Sequence, residues 1–232
     1  MKIIKNMAVN SECYKNSKKM IPQGIVIHST GVNEPRVDRY IGKINQFEQV
    51  CGHAYIGIVN DNEICVSEVL PLDVCCKHIG YGQKGSFDSN PPYIQLEICE
   101  DCLNDGVYYK TAFDVAAEYC AYLCRMFGLN IRQIVSHKEA YEMGYGSNYG
   151  DPEYWMKIFD ETMGDFRRKV ANILNISDIS GIEDVVGEER ILPGYLKIQY
   201  LNHIEKIERG YPYGGYRGYS GTSRSKNSDI GT

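Results

Sequence analysis

With 232 residues, 43% of them hydrophobic, the chain is long enough for one well-packed domain with appendages. No run approaches the roughly 18 consecutive apolar residues of a membrane-crossing helix, and the opening stretch MKIIKNMAVN lacks the apolar centre of a secretory signal. A net charge of −5 argues against a general nucleic-acid binder.

The apolar run Gly24 to Ile27 reads as a short buried strand that runs into His28-Ser29-Thr30 and a loop. Asn33 to Pro35 is turn material, and Arg39 to Phe47 suits a short helix. His53 to Val59, Asn60-Asp61-Asn62 and Glu63 to Val66 have the shape of a hairpin with a polar turn. From Lys77 to Pro92 a long Gly/Ser/Asn/Pro-rich loop is expected, and loops of that length are often functional. Tyr93 to Cys99 alternates, with Ile94, Leu96 and Ile98 on one face and Gln95 and Glu97 on the other. Thr111 to Phe127 carries apolar residues at helical spacing and stops at Gly128. Ile131 to Ser136 forms a further strand that leads into His137, and a last helix is expected from about Pro152 to Leu174.

This alternation of strands and helices predicts an α/β domain, a mixed central β-sheet flanked by helices, over residues 1–176. Residues 177–208 read as a linker with a candidate helix from Tyr195 to Glu208. Residues 209–232 form a Gly/Tyr/Ser-rich tail that cannot bury a core of its own. Four Lys/Arg against one Asp give that tail +3, so residues 1–208 carry −8. Without a signal peptide, the nine cysteines are expected to be mainly reduced thiols of a protein made in the cytoplasm.

Two strands end in the same way, Ile25-Val26-Ile27-His28 and Ile134-Val135-Ser136-His137. Ligands collect beyond the carboxyl ends of strands in α/β sheets, so the two histidines can converge there, and neutral imidazoles suit zinc. A third ligand is then needed, and Asp151 is the candidate. Its plainer reading is a helix N-cap, since Pro152 and Glu153 follow it. Glu97 is either a residue on an ordinary exposed sheet face or, beside a metal, a general base.

Other patterns fail on context. Gly80-Tyr81-Gly82-Gln83-Lys84-Gly85 fits G-x-G-x-x-G, but the two prolines at 91 and 92 follow where a dinucleotide site needs a helix. Cys99-Glu100-Asp101-Cys102 has no second C-x-x-C to complete a zinc ribbon.

Five pieces come in a telling order: Ile27 to Thr30, Gly52 to Ile56, His78-Ile79-Gly80, Ile94 to Ile98, and Val135-Ser136-His137 followed by Gly150-Asp151-Pro152. Over about residues 20–175 the chain thereby resembles the zinc-dependent N-acetylmuramoyl-L-alanine amidases of the type 2 family, relatives of phage endolysins and peptidoglycan recognition proteins. Val37 to Ile41 and Glu97 to Asp101 look most like amidases of clostridial phages and prophages. The resemblance implies the peptidoglycan recognition protein-like amidase fold and zinc held by His28, His137 and Asp151. It implies Glu97 as the base that activates water and His78 as a lining of the substrate groove. His53 stands where the family often has Tyr, and Tyr149 where it often has Lys, so the donor that steadies the transition state is open among His53, His78 and Tyr149.

The expected activity is hydrolysis of the bond between N-acetylmuramic acid and L-alanine, with Glu97 and Tyr149 catalytic and His53 and His78 against the muramyl peptide. The expected setting is a phage or prophage lysin released to the wall by a holin. A cytosolic muropeptide-recycling amidase and a non-catalytic peptidoglycan-binding module are the alternatives. Peptidoglycan is the expected partner, with neither nucleic acid nor an integral membrane segment, and the oligomeric state is not readable.

Overall fold

The computed structural model describes residues 1–16, 18–46, 51–60 and 63–179. The candidate helix Tyr195–Glu208, the tail 209–232 and the tip of the expected hairpin (61–62) lie outside them. The strands are β1 (Ile3–Lys5), β2 (Ile25–Asn33), β3 (Ala54–Val59), β4 (Glu63–Glu68), β5 (Ile94–Glu100) and β6 (Ile134–Ser136). The helices are α1 (Glu12–Asn16), α2 (Val37–Gln46), α3 (Gly106–Phe127), α4 (His137–Met143), α5 (Glu153–Ile158) and α6 (Met163–Leu174). One six-stranded sheet runs in the order β1-β4-β3-β5-β2-β6. β3 and β4 are the antiparallel hairpin, while β3, β5, β2 and β6 lie parallel. The expected mixed sheet flanked by helices is therefore present.

The period-two pattern decides which face each strand residue serves. Ile25, Ile27, Ala54, Ile56, Ile94, Leu96 and Ile98 pack with α3, α5 and α6, around Phe113, Trp155 and Phe166. Val26 turns to the opposite face and meets Ile79, Phe87, Tyr93 and Val135. β5 lies between β3 and β2 and all of its residues are buried, with the helices on one face and the loop carrying His78 and Phe87 on the other. Gln95 and Glu97 are buried, which removes the exposed-face reading of Glu97.

Several boundaries differ from the sequence reading. β2 continues through a register shift to Asn33, so the loop expected after Thr30 starts later. α3 begins at Gly106 because the Asp105 side chain accepts from Val107 N and Tyr108 N. The strand expected from Ile131 is a 3-10 turn (Ile131–Gln133) followed by three strand residues. The single helix expected from Pro152 to Leu174 is two helices. Asp160 adopts a left-handed φ of 53°, and Thr162 restarts the chain with a capping box to Asp165. The apolar spacing continues across this break, because α5 and α6 pack into the same core.

Candidate metal centre

His28 lies in β2 between two parallel neighbours, and its register partner in β5 is Glu97. On the other side Ile27 pairs with Ser136, the last residue of β6. His137 is therefore the next residue beyond the ladder and the first of α4. That helix was not expected, yet its start is written in Ser136-His137-Lys138-Glu139. The Ser136 hydroxyl accepts from Glu139 N at 2.9 Å, and the Glu139 carboxylate accepts from Ser136 N at 3.0 Å. Arg167 of α6 holds the same carboxylate with both terminal nitrogens at 2.9 Å and donates to Ile134 O at 2.9 Å. The pair is buried, so His137 starts from a fixed point.

Asp151 arrives on the loop that follows α4. This loop zips to the glycine-rich segment 80–85 through Lys84 N to Gly144 O at 2.8 Å, with Phe87 N to Tyr145 O at 2.9 Å beside it. A Cβ on Gly82 would lie 2.4 Å from the Gly144 carbonyl, so the close approach requires glycine there. The glycines that imitated a nucleotide motif thus join two loops beside the histidines. Asp151 is not a helix cap: Pro152 occupies that position, with no side-chain cap hydrogen bond. The Asp151 oxygens turn inward, Oδ2 to His28 Nδ1 and Oδ1 to His137 Nδ1, each at 3.1 Å. Ser29 N donates to Oδ2 at 3.4 Å.

His28 Nδ1 and His137 Nδ1 are themselves 3.1 Å apart. The partners of the far nitrogens decide the tautomers. Gln95 points its amide nitrogen at two carbonyls, Phe87 O (3.1 Å) and Tyr93 O (3.4 Å), so its Oε1 faces His28 Nε2 at 2.7 Å and accepts from it. Ser147 gives its hydroxyl proton to Ile79 O at 2.6 Å, so it accepts from His137 Nε2 at 3.2 Å. In neutral rings both Nδ1 atoms are then bare, and two lone pairs and a carboxylate converge on one point. Burial opposes a charge on His28, but Asp151 overcomes it and raises the group above its ordinary value. Asp151 is buried as well, yet His137 and His28 hold it well below the usual carboxylate range. The pocket attracts positive charge. These three residues could hold a metal ion.

Glu97 and His78 stand beside this trio. His78 Nε2 is 2.8 Å from Glu97 Oε1, and the His78 ring meets the edge of His28 at 4.5 Å. His28, His78 and Glu97 form a second group with metal-ligating atoms close together. Burial pushes the Glu97 carboxyl up to about 7. Burial, reinforced by His28, lowers His78 to about 3. Among the described residues, Glu97 Oε2 and His78 Nδ1 are buried without a hydrogen-bond partner.

Tyr149 is on the rim, 43% exposed, with its ring 5.3 Å from that of His137. His53 is not brought into the site. It is fully buried, with Nε2 on Val74 O at 2.8 Å and Nδ1 accepting from Gln95 N at 3.0 Å. Both nitrogens serve main-chain groups, so the expected contact with substrate has no atom to make it, and we correct that assignment. Gln95 and Ser147 were not singled out. Gln95 carried a signal, its place two residues before Glu97 on the same strand face; Ser147 carried none.

The sequence profile of the N-acetylmuramoyl-L-alanine amidases matches residues 17–153, more than half of the chain. The chain belongs to that family. Among solved structures it is similar to AmiA of Staphylococcus aureus, described as a hydrolase in complex with its ligand. That match has 17% identity and a TM-score of 0.60, over 76% of this chain and 86% of the other. A mutant endolysin from Bacillus subtilis gives 20% identity and a TM-score of 0.54, over 73% of this chain and 99% of the other. PlyL gives 21% identity and a TM-score of 0.54, over 73% and 97%. Identities this low establish a shared fold. No curated protein matches the chain. No helix among the described residues is long and apolar enough to cross a membrane.

Proposed function

We propose that this family member is a zinc-dependent peptidoglycan hydrolase that cleaves the amide between N-acetylmuramic acid and L-alanine. The observation that carries the reading is the convergence of His28 Nδ1, His137 Nδ1 and Asp151 at 3.1 Å. Tetrahedral zinc bonds of about 2.0–2.1 Å place donor atoms roughly 3.3 Å apart, so the set fits zinc and leaves a fourth direction for water or substrate. When bound, zinc supplies Lewis acidity, which polarises a carbonyl and acidifies water.

The chain's own residues supply the rest. Glu97 is a buried carboxylate beside the trio, raised to about 7, near the value at which a group both takes and returns a proton at neutral pH. It removes the proton of the attacking water at its Oε2 and delivers it to the departing alanine nitrogen. His78 holds the other oxygen and keeps Glu97 turned toward the trio. Tyr149, on the rim beside His137, offers its phenol to the oxyanion that forms as the carbonyl is attacked. The catalytic unit occupies residues 1–176, and the setting we infer is a phage or prophage lysin that reaches the wall through a holin.

Digestion of purified cell walls tests the reading. Release of free L-alanine amino groups without new reducing sugar ends is expected. New reducing ends would indicate a glycosidase, and binding without release would indicate a recognition module. Zinc analysis should give about one ion per chain. His28→Ala combined with His137→Ala should hold none, and unchanged zinc there would refute the ligand set.

A further inference from the structure

We infer that Gln95 is a positioning residue for the metal centre, its side-chain carbonyl fixing His28 in the tautomer that presents a bare Nδ1 to His137 and Asp151. The inference rests on the metal reading above and adds a residue to it.

The argument is one of donors and acceptors. Gln95 is fully buried, and its amide nitrogen is committed to two main-chain carbonyls, Phe87 O and Tyr93 O. A flipped amide would put its oxygen against both carbonyls and its nitrogen against His28 Nε2. The unflipped amide offers His28 only an acceptor, at 2.7 Å. Nε2 of a neutral His28 must then carry the proton, and Nδ1 must carry the lone pair. The opposite tautomer would place a hydrogen on the atom that faces Asp151 and would block coordination.

The main chain of Gln95 is fixed in turn. Its N–H donates to His53 Nδ1 at 3.0 Å, its carbonyl accepts from His53 N at 2.8 Å, and His53 Nε2 donates to Val74 O. His53 thereby clamps the strand residue that orients His28. Outer partners of this kind alter metal affinity by about 10- to 100-fold.

Two substitutions and one spectrum test the inference. Gln95→Leu removes the acceptor at similar volume, and zinc affinity, read by competition with a chelator, should fall by about 10- to 100-fold. Gln95→Glu retains an oxygen for His28 while setting a carboxylate against the Phe87 and Tyr93 carbonyls. It should therefore hold zinc at least as tightly as the parent although its unfolding midpoint drops. A residue that merely packs would lower zinc affinity in both variants, in step with stability, and that result would overturn the inference. Long-range nitrogen–proton correlation spectra of the metal-free parent at alkaline pH need no variant. They should show His28 protonated at Nε2; protonation at Nδ1 would overturn the inference. A parent that binds no zinc removes the metal reading and this inference with it, whereas a parent and Gln95→Leu that bind zinc equally well remove the role of Gln95 alone.

Discussion

His28 and His137 present the same ring atom to the same carboxylate, but from unlike supports. His28 is set inside a strand with β5 on one side and β6 on the other, and its outer partner Gln95 is fully buried. His137 opens a seven-residue helix, and its outer partner Ser147 comes from the loop that zips to segment 80–85. The sheet half of the site is held by ladder and core, which exist for the fold in any case. The helix half is held by a dedicated device, the Glu139–Arg167 fork on a capping box. Loss of the reacting carboxylate or of the outer partner in the first half should therefore appear mainly in chemistry and metal, and loss of the fork in the second mainly in stability.

The largest expected effect tests the chemistry of the sheet half. Glu97→Gln should lower wall-digestion turnover by about 100- to 10,000-fold, with zinc content and unfolding curve close to the parent's. Near-normal turnover would reduce Glu97 to a strand residue. On the helix half, Arg167→Ala leaves the Glu139 charge buried without its main partner and should cost about 3–5 kcal/mol in urea unfolding. Arg167→Met combined with Glu139→Leu should recover part of that loss, because the uncompensated charge is gone. A cost for Arg167→Ala below about 1 kcal/mol would erase the difference drawn between the halves.

Ser147→Ala should weaken zinc by about tenfold or less, the lower end of what outer partners contribute. An effect as large as that of Gln95→Leu would make the two supports equivalent. The smallest change is expected at Lys138, whose ion pair with Glu153 spans 2.8 Å at the edge of the helix half. Lys138→Met should cost about 1 kcal/mol or less, because the pair is partly solvated.

The two halves also differed in how far they could be read beforehand. The alternation in Tyr93 to Cys99 placed Gln95 and Glu97 on one face, and the paired Ile-Val endings placed both histidines at strand ends. Periodicity carries that information directly. It does not carry depth. Nothing local distinguishes an outward polar face from one covered by loop 77–92, so the burial of Glu97 was not legible. Asp151 looked like a cap because Asp-Pro-Glu is cap chemistry; only the fold shows that its oxygens are used elsewhere. The start of α4 and the break before α6 are both marked by capping boxes, and at the second the apolar spacing of residues 152–174 runs on across the break. His53 illustrates the converse error. A histidine in a motif position suggests a functional role, while its Nδ1 accepts from the strand residue Gln95 and its Nε2 donates to the loop carbonyl of Val74.

The Arg167 fork has a practical consequence for where the working enzyme ends. All three metal-facing residues and Glu97 lie within the stretch that matches the family, 17–153, so a fragment trimmed to that stretch retains every reacting group. It would also discard α6, and with it the guanidinium that neutralises Glu139 at the foot of His137. Such a fragment carries an unbalanced buried carboxylate two residues from His137. The shortest piece that keeps the centre assembled therefore runs at least through Leu174.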